Sequence, residues 1–403
     1  MINKQVFQFP IIYTMPMNKI AIGWGVHETV ADECKQAGIK KALIVTTGLK
    51  GTGIVDEIKQ ILTGNGIATA IYDKITSNNK DYEVMAAYEV FKNAECDGVV
   101  SVGGGSSHDC GKCVRMLAAN EGKQLTDFIL RKGVPWMEEA RKHKPATIPQ
   151  ITVNTTAGTS AESTCAAMFT DTKSRTKPGM ILPYLAPTTT LVDPLLVRMM
   201  PQNIAAWTGF DAFAHAFEGY LSRIRSRYTA AMAIAIIKLI AGNLREFTHN
   251  RMNHVACENM CWASNMAVVL LHFGGAVGIP HGIGLQLSAL TDCHHGRANA
   301  ILTLPLERAN EASCPDEFAE MARAMGVDTR GMTKMQAADK WFDEVERLLK
   351  DLNIESGNLN KQLGIQRDEL ENMASVYSND FVQEGNPRDV GYDECLKLLE
   401  GML

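Results

Sequence analysis

The sequence predicts an α/β domain with a mostly parallel sheet, followed by an all-α domain. In the first half of the 403-residue chain, short runs rich in β-branched residues alternate with helical patterns. From about residue 202 onward such runs largely vanish, and long helical periodicities take over. Alternating strands and helices are typical of crossover units whose strands pair in parallel, whereas helical runs without strands are typical of all-α domains.

Four apolar runs in the first half are predicted strands. Each is short and rich in valine, isoleucine or threonine, and helical patterns separate them. They occupy residues 40–46, 67–72, 98–102 and 151–154. We expect these strands to lie in one sheet that is covered by helices.

The second half is predicted to consist of helices. Over residues 335–352, apolar side chains recur at three- and four-residue steps, which is the period of an amphipathic helix. The change between the two halves falls at residues 190–194, where a last apolar strand runs into Pro194. We therefore place the domain boundary there, with an α/β domain of residues 1–193 and a helical domain of residues 194–403.

The composition is that of a globular protein without nucleic-acid or membrane partners. Hydrophobic residues make up 46% of the chain and charged residues 21%, and the formal net charge of −5 provides no basic field for phosphates. The most apolar stretch, residues 228–244, is shorter than the ~20 residues that span a bilayer and contains Lys238, so we expect a buried core helix. No secretory segment is visible, and the ten cysteines are expected to be free thiols. We therefore expect a cytoplasmic protein.

A glycine-rich loop leads from a buried strand into a helix within residues 97–109. Gly103, Gly104 and Gly105 allow the backbone to approach a pyrophosphate, and the helix N-terminus offers unpaired N–H groups and the positive end of a dipole. The spacing differs from G-x-G-x-x-G, so a simple tight turn is the alternative. A second loop, residues 154–162, offers hydroxyls and small residues, which suit the lining of a cofactor ring or ribose but are also ordinary loop residues.

The strongest chemical signal is a set of metal-capable side chains in the second half. Asp211 and His215 stand four residues apart on a predicted helix, so both side chains point to one face. His281 and the pair at 294–295 follow in two short segments that contain glycine. A carboxylate with imidazoles suits Fe²⁺, Zn²⁺, Mn²⁺ or Co²⁺. An Asp and a His at helical spacing are also common as a surface pair, which is the alternative.

Two further histidines are expected to take no part in such a site. His27 lies in polar surroundings and is expected at the surface. His108 is a separate case, because it lies in the glycine-rich loop, where solvation is the simple prediction.

Taken together, these motifs resemble those of the iron-containing (group III) alcohol dehydrogenases, which include methanol, 1,3-propanediol and lactaldehyde-reductase types. The resemblance runs nearly from end to end. It rests on ITSNNK, GGGSSHDCGK, VNTTAGTSAES, LVDP, GFDAFAHAFEGY, GIPHG, HHGRANAIL and NPRDV. It implies a dehydroquinate synthase-like fold, in which an N-terminal dinucleotide-binding α/β domain and a C-terminal helical metal-binding domain enclose the metal and the cofactor.

The resemblance also implies the site residues. The metal ligands, which would act in catalysis through the metal, correspond to Asp211, His215, His281 and His295. The cofactor-binding positions correspond to Asn78, Gly104, Gly105, Ser106, Asp109, Thr155, Thr156, Gly158, Thr159 and Lys177. The implied metal is Fe²⁺, with Zn²⁺ or Mn²⁺ as alternatives, and the implied coenzyme is NAD(H) or NADP(H).

Two positions depart from the family pattern. Many NAD-preferring relatives carry an aspartate after the second strand, where it accepts the ribose 2′-hydroxyl and repels a 2′-phosphate. Residues 45–47 (VTT) contain no acid, so NADP(H) is not excluded. Four residues after His281, many relatives carry a second histidine assigned to proton transfer. Because Leu285 occupies that position, we expect the proton to come from water or from a cofactor hydroxyl.

These features predict an NAD(P)-dependent, iron-containing alcohol dehydrogenase or aldehyde reductase for a small alcohol/aldehyde pair, and the resemblance implies a homo-oligomer. Three alternatives stay open. Arg297, two residues after His295, would favour an anionic aldehyde such as sulfoacetaldehyde, unless it is a surface or subunit-contact residue. A related cyclase or glycerol dehydrogenase, commonly with zinc, shares the architecture. A catalytically silent, cofactor-binding assembly protein is the alternative from another class.

Overall fold

A computed structural model describes residues 18–403, so the first 17 residues of the predicted α/β domain lie outside the described range. Within that range the chain forms eight strands and sixteen α-helices. The strands are β1 (Lys19–Ile22), β2 (Lys41–Thr46), β3 (Ala68–Tyr72), β4 (Gly98–Gly103), β5 (Gln150–Asn154), β6 (Ala166–Met168), β7 (Gly179–Ile181) and β8 (Thr189–Val192). The helices are α1 (Val30–Gln36), α2 (Ile54–Gly64), α3 (Asp81–Asn93), α4 (Gly105–Ala119), α5 (Trp136–Ala140), α6 (Pro194–Val197), α7 (Gln202–Leu221), α8 (Arg227–His249), α9 (His254–Val269), α10 (Ile279–Thr291), α11 (His295–Glu307), α12 (Pro315–Ala324), α13 (Lys334–Asp351), α14 (Leu359–Leu363), α15 (Arg367–Ser378) and α16 (Tyr392–Glu400).

Six strands form one parallel sheet in the order β1-β8-β5-β4-β2-β3. The four strands predicted from apolar runs are β2, β3, β4 and β5, and the run before Pro194 is β8, so these predictions are confirmed. β4 and β5 are buried along their whole length, as expected of parallel strands covered on both faces. Because all six strands run in one direction, the loops that follow β2, β4 and β5 lie side by side at one edge of the sheet.

A two-stranded antiparallel hairpin, β6 and β7, lies outside this sheet. Each strand has only three residues, which is too short for an alternating pattern to be visible in the sequence. Lys112 of α4 is fully buried and anchors the hairpin, because its Nζ donates to the Ala166 carbonyl at 2.6 Å.

α7 forms the centre of the helical half. Nearly every residue between Ala205 and Leu221 is buried, and a helix that is apolar all round is one that lies inside a protein. Phe213 and Phe217 pack on Trp341 of α13, with ring centroids 6.5 and 5.2 Å apart. Burying such a side chain contributes roughly 1.5–3 kcal/mol. The polar side chains that α7 carries are therefore removed from water together with its apolar ones.

Two helices predicted from the sequence are present. The predicted helix at residues 335–352 is α13, which Thr333 caps by accepting a hydrogen bond from Gln336 N. The apolar stretch at residues 228–244 lies within α8, which buries one face and exposes Lys238. In the part of the chain that the structure describes, no helix is long and apolar enough to cross a membrane.

His27 is buried, so the prediction that it lies at the surface is wrong. Its Nδ1 lies 2.5 Å from Asp193 Oδ2, and its backbone N–H donates to the same oxygen at 3.1 Å. Asp193 is fully buried and also caps α6 by accepting from Leu195 N. A buried carboxylate needs such hydrogen-bond partners. For Asp193 the partner is His27, which lies 166 positions away in the chain. The hydrogen bond to Asp193 raises the pKa of His27.

We expect His27→Gln to destabilise the protein more at acidic than at basic pH. Because the folded state raises the pKa of His27, the stabilisation by its charge is fully present below the ordinary value of 6.5 and is lost as the pH rises through the raised value. The variant should lose about 2 kcal/mol of unfolding free energy at about pH 5.5 and clearly less at about pH 9. Urea unfolding at both pH values measures the loss, with the exposed His254→Gln as control. An equal loss at both pH values would contradict the charge pairing.

Candidate functional site

The four predicted metal ligands lie on three neighbouring helices of the helical half. Asp211 and His215 are on successive turns of α7, His281 is in the first turn of α10, and His295 begins α11. Gly296 allows α11 to approach α7 closely, because a Cβ there would lie 3.1 Å from Asp211 Cβ. The packing of the three helices therefore brings the four residues to one place.

The donor atoms of these residues form a cluster. Asp211, His281 and His295 each place a carboxylate oxygen or ring nitrogen within 4.8 Å of the others. The Nε2 atoms of His281 and His295 lie 3.6 and 3.9 Å from Asp211 Oδ1. His215 joins through His281, since the Nε2 atoms of the two rings face each other at 3.1 Å. The structure thus brings all four predicted ligands together, with His215 at the side of the cluster.

A divalent metal ion requires an ionised carboxylate and neutral imidazoles, and three of the four residues have that charge state. Burial would raise the pKa of Asp211, but the neighbouring imidazoles outweigh this effect and lower it to about 2. Burial lowers the pKa of His215 to about 4 and holds that of His295 well below its ordinary value. At neutral pH the cluster therefore offers a carboxylate and two neutral imidazoles, those of His215 and His295. Asp211 Oδ2 is buried and accepts no hydrogen bond from the described residues, so the residues present fit a bound ion.

A buried carboxylate, Glu218, lies behind His281 and is absent from the predicted site residues. One of its oxygens contacts His281 Nδ1, and the other accepts from Gly278 N at 2.6 Å. Burial lowers the pKa of His281, but the charge of Glu218 more than offsets this and raises it. A carboxylate that holds Nδ1–H fixes the tautomer and leaves Nε2 free for a metal. Because Glu218 follows Asp211 by seven residues, helical spacing alone places it on the ligand face of α7.

Two buried asparagines support the cluster and were also not predicted. Asn299 of α11 donates from Nδ2 to Asp211 Oδ1 at 2.8 Å and lies 3.2 Å from His295 Nε2. Asn386, in the NPRDV motif, accepts from Ile279 N at 3.2 Å and so holds the first turn of α10. Both stand in family motifs, and Asn299 is one helical turn from a predicted ligand, which is the signal that could have identified it.

The predicted phosphate loop lies at the edge of the sheet, between the end of β4 and the start of α4. Gly103 has a φ of 143°, a conformation that L side chains rarely adopt. A Cβ on Gly104 would lie 2.8 Å from Thr156 Cγ2, and one on Gly105 would lie 2.9 Å from Thr159 Oγ1. The first turn of α4 carries no acidic residue, and its N-cap makes no side-chain hydrogen bond. Ser107 N and His108 N donate to the Gly104 carbonyl at 3.0 and 3.2 Å, so the N–H groups of Gly105 and Ser106 are the ones available to an anion such as a phosphate.

The second predicted loop connects the glycine loop to α7. Thr155 N donates to the Gly103 carbonyl at 2.9 Å. A Cβ on Gly158 would lie 2.6 Å from Thr208 Cβ, so only glycine lets the loop reach α7 this closely. Thr208 precedes the predicted ligand Asp211 by three residues. The loop therefore joins the sheet edge to the helix that carries half of the cluster.

Asn78 and Lys177 lie together beside the glycine loop. Asn78 N donates to Ser106 Oγ at 3.1 Å, and Asn78 Oδ1 accepts from Lys177 Nζ at 2.7 Å. Asn78 Nδ2 donates to the Cys293 carbonyl at 3.1 Å, two residues before His295. Burial lowers the pKa of Lys177 to about 8. Asn78 therefore adjoins both the phosphate loop and the turn that leads to the metal cluster.

Asp109 and His108 of α4 are hydrogen-bonded to other residues in the interior of the protein. The carboxylate of Asp109 accepts from Lys112 Nζ at 3.2 Å and from Met168 N at 3.1 Å, so it holds the hairpin against α4. His108 is fully buried, with Nδ1 2.9 Å from Ser101 Oγ, and burial lowers its pKa to about 3. The prediction that His108 is solvated is wrong, because this face of α4 packs on β4.

Leu285 and Arg297 bear on proton transfer and on substrate charge. Leu285 is buried one turn beyond His281, so that position carries no titratable side chain. The guanidinium of Arg297 lies 5.8 Å from the centroid of the Trp207 ring and donates to Gln362 Oε1 at 3.3 Å. These contacts give Arg297 a local packing role and do not favour the anionic-aldehyde alternative.

Fold and cluster together define the class of protein. A helix N-terminus with free N–H groups lies at the edge of a parallel sheet, next to a buried cluster of a carboxylate and imidazoles, which suits an enzyme that binds a phosphate-bearing ligand and a metal ion. Residues 17–194 match the family model described as iron-containing alcohol dehydrogenase, and residues 205–403 match the C-terminal model of the Fe-containing alcohol dehydrogenase family. The chain belongs to the iron-containing alcohol dehydrogenase family, as its sequence resemblance indicated.

Individual relatives match over nearly their whole length. The chain is 34% identical to the methanol:N,N-dimethyl-4-nitrosoaniline oxidoreductase of Rhodococcus erythropolis, over 98% of this chain and 97% of that protein. It is 32% identical to the NAD-dependent methanol dehydrogenase of Bacillus methanolicus, over 95% of this chain and 97% of that protein. A crystal structure of a 1,3-propanediol oxidoreductase matches with a TM-score of 0.88 and 33% identity. The match covers 98% of this chain and 100% of that one. These matches favour neither the cyclase nor the assembly-protein alternative.

We expect Glu218→Gln to weaken metal binding without unfolding the protein. The amide cannot hold the His281 imidazole as the carboxylate does, and loss of such a partner typically lowers metal affinity about 10–100-fold. Anaerobic Fe²⁺ titration of the metal-free protein measures the change. Glu320→Gln is the control, because Glu320 accepts from Tyr220 of α7 but takes no part in the cluster. Unchanged Fe²⁺ affinity in Glu218→Gln would show that the carboxylate does not position His281.

Proposed function

We propose that this enzyme transfers a hydride between NAD(H) or NADP(H) and a small alcohol/aldehyde pair at a divalent metal ion. The observation that supports this most is the position of Asn78, which hydrogen-bonds the phosphate loop through Ser106 and the turn before His295 through Cys293. A coenzyme on the loop and a substrate at the cluster would therefore lie next to each other, and hydride transfer requires such proximity. The relatives named for methanol and 1,3-propanediol agree with a small alcohol.

The ion would be held by Asp211, His215, His281 and His295. When bound, it supplies a Lewis acid that polarises the substrate oxygen. Fe²⁺ is the metal that the family implies, and Zn²⁺ or Mn²⁺ also suit this donor set. The protein's part is to keep the Asp211 carboxylate ionised and the imidazoles of His215 and His295 neutral. It also directs the Nδ1 side of the His281 ring to the Glu218 carboxylate.

The pyrophosphate of the coenzyme would bind the first-turn N–H groups of α4. The residues proposed to contact the coenzyme there are Gly104, Gly105 and Ser106, and those on the nicotinamide side are Thr155, Thr156, Gly158 and Thr159. Asn78 and Lys177 would contact it from the adjoining turn. Asp109, engaged with Lys112, would act indirectly by fixing α4.

Both coenzymes are compatible with the end of β2. The relative named as an NAD-dependent enzyme supports NAD(H). The residues at 45–47 carry no acid that would repel a 2′-phosphate, so we propose that NADP(H) is also accepted.

Proton transfer would use no side chain at position 285. Leu285 is apolar and buried, one turn from His281. The proton that accompanies the hydride would therefore pass between the substrate oxygen and water or a hydroxyl of the coenzyme.

We further propose that the chain divides into domains at residues 193/194 and acts as a homo-oligomer in the cytoplasm. The last strand of the sheet ends at Val192, and only helices follow from Pro194 onward in the described chain, which supports the boundary. All ten cysteines are free and buried, which supports a reducing compartment. The homo-oligomer rests on the family resemblance alone.

We expect His281→Ala to lose at least about 100-fold in turnover, because the cluster loses a ligand that Glu218 orients. The assay follows anaerobic NADH and NADPH oxidation with acetaldehyde, propanal, lactaldehyde and sulfoacetaldehyde, using protein loaded with Fe²⁺. The exposed His254→Ala is the control and should keep full activity. Absence of turnover with every aldehyde in the Fe²⁺-loaded wild-type protein would refute the proposal.

We expect Gly105→Ala to weaken NADH binding roughly tenfold while Fe²⁺ content stays normal. The added Cβ would lie 2.9 Å from Thr159 Oγ1, so the second loop and the start of α4 must move apart. Gly64→Ala is the matched control, because a Cβ there meets nothing within 4 Å. Fluorescence titration with NADH measures the affinity. Equal NADH affinity in the two variants would show that the glycine loop is not part of the coenzyme site.

A further inference from the structure

Three polar residues outside the metal cluster join the sheet half to the turn between α10 and α11. Lys80 Nζ lies 2.7 Å from Asp292 Oδ1, and the Lys80 side chain is only 15% exposed. Asn78 Nδ2 donates to the same Asp292 oxygen at 3.2 Å and to the Cys293 carbonyl at 3.1 Å. We call Asn78, Lys80 and Asp292 the polar bridge.

Each side of the polar bridge has a backbone conformation that only a few residue types tolerate. Asn78 has a φ of 55° and Asp292 a φ of 57°, and Asn and Asp are the non-glycine residues most often found in this left-handed region. Asp292 also ends α10 as its C-cap residue. The Lys80 ammonium has three hydrogens, and Nζ donates to Asp292 Oδ1, to Thr76 Oγ1 at 2.9 Å and to the Ser77 carbonyl at 2.6 Å. The bridge is therefore a hydrogen-bonded ion pair in which the Lys80 ammonium is saturated, while the Asp292 side chain is 57% exposed.

The bridge lies between two parts of the proposed site. On one side, Asn78 N donates to Ser106 Oγ in the phosphate loop. On the other, only residues 292–294 separate α10, which carries His281, from α11, which begins at His295. A shift of this turn changes the separation of two proposed metal ligands, and a shift of the Asn78 turn changes one wall of the phosphate loop.

We propose that Lys80 and Asp292 are positioning residues that couple coenzyme binding to metal binding, an inference that rests on the proposed function. A coenzyme phosphate on the α4 N-terminus orders Ser106 and Asn78, and through Asp292 it orders the turn that sets the place of His295. Such coupling is reciprocal, so the bound metal tightens coenzyme binding by the same factor as the coenzyme tightens metal binding.

The test measures this factor in the complete protein, without aldehyde, so that no turnover occurs. NADH affinity is measured by fluorescence with and without Fe²⁺, and Fe²⁺ affinity with and without NADH. In the wild-type protein we expect each ligand to tighten the other about fivefold or more. Asp292→Asn retains the shape and the left-handed conformation but removes the charge, and its coupling factor should fall to near one. Lys80→Gln removes the other charge and should give the same result.

The control is Asp316→Asn, which breaks an ion pair of similar length with Lys334, 2.6 Å, on an exposed surface of the helical half. It should keep the wild-type coupling factor. Full coupling in both Asp292→Asn and Lys80→Gln, or independent binding of Fe²⁺ and NADH in the wild-type protein, overturns the inference and leaves the proposed function intact. Failure of the wild-type protein to bind Fe²⁺ at all overturns the proposed function and the inference with it.

Discussion

The helical half is organised around an ionised carboxylate, Asp211, in the interior of the protein. Removing a carboxylate from water costs several kcal/mol even after the surroundings relax, so partners must offset that cost. Asn299 supplies a hydrogen bond, and the Nε2 atoms of His281 and His295, from α10 and α11, lie 3.6 and 3.9 Å from the same Asp211 oxygen. Both helices must therefore meet α7 at this point, and Gly296 makes the approach sterically feasible. A divalent ion at the cluster would compensate the same charge.

The position of α7 also determines the position of the coenzyme side. Aromatic packing on Trp341 holds α7 in the core, and the loop after β5 touches it where Gly158 meets Thr208. The same loop packs on the glycine turn at the end of β4, so the phosphate loop is placed relative to Asp211 through two successive close contacts. Small residues at these contacts leave no room for adjustment, because a single added Cβ would overlap backbone or side-chain atoms. The distance between the proposed coenzyme and metal sites is thus a consequence of packing.

The sequence predicts the elements whose pattern is local. Runs of β-branched residues mark the strands of the sheet, whereas β6 and β7, with three residues each, have no period to detect. Glu218 and Asn299 could have been found, because they stand seven and four residues from proposed ligands on the same helices. The pairing of His27 with Asp193 could not, because it depends on where two distant segments meet after folding. For the metal cluster, family motifs identified the residues, but only the structure shows their donor atoms side by side.

Apolar packing and polar contacts together join the two halves of the molecule. Apolar packing crosses the boundary, because Ala157 and Val192 of the sheet half belong to the core around α7, and Leu196 of α6 belongs to a core under the sheet. Such burial contributes about 25 cal/mol per Å² of apolar area. Several contacts between the halves are polar: Lys80 meets Asp292, Asn78 meets Cys293, and Lys132 Nζ donates to Gln383 Oε1 at 2.6 Å. Each such hydrogen bond contributes about 0.5–1.5 kcal/mol net, and its geometry restricts how the two halves meet. In the proposed function these contacts align the phosphate loop with the cluster, because Asn78 hydrogen-bonds Ser106 on one side and the turn before His295 on the other.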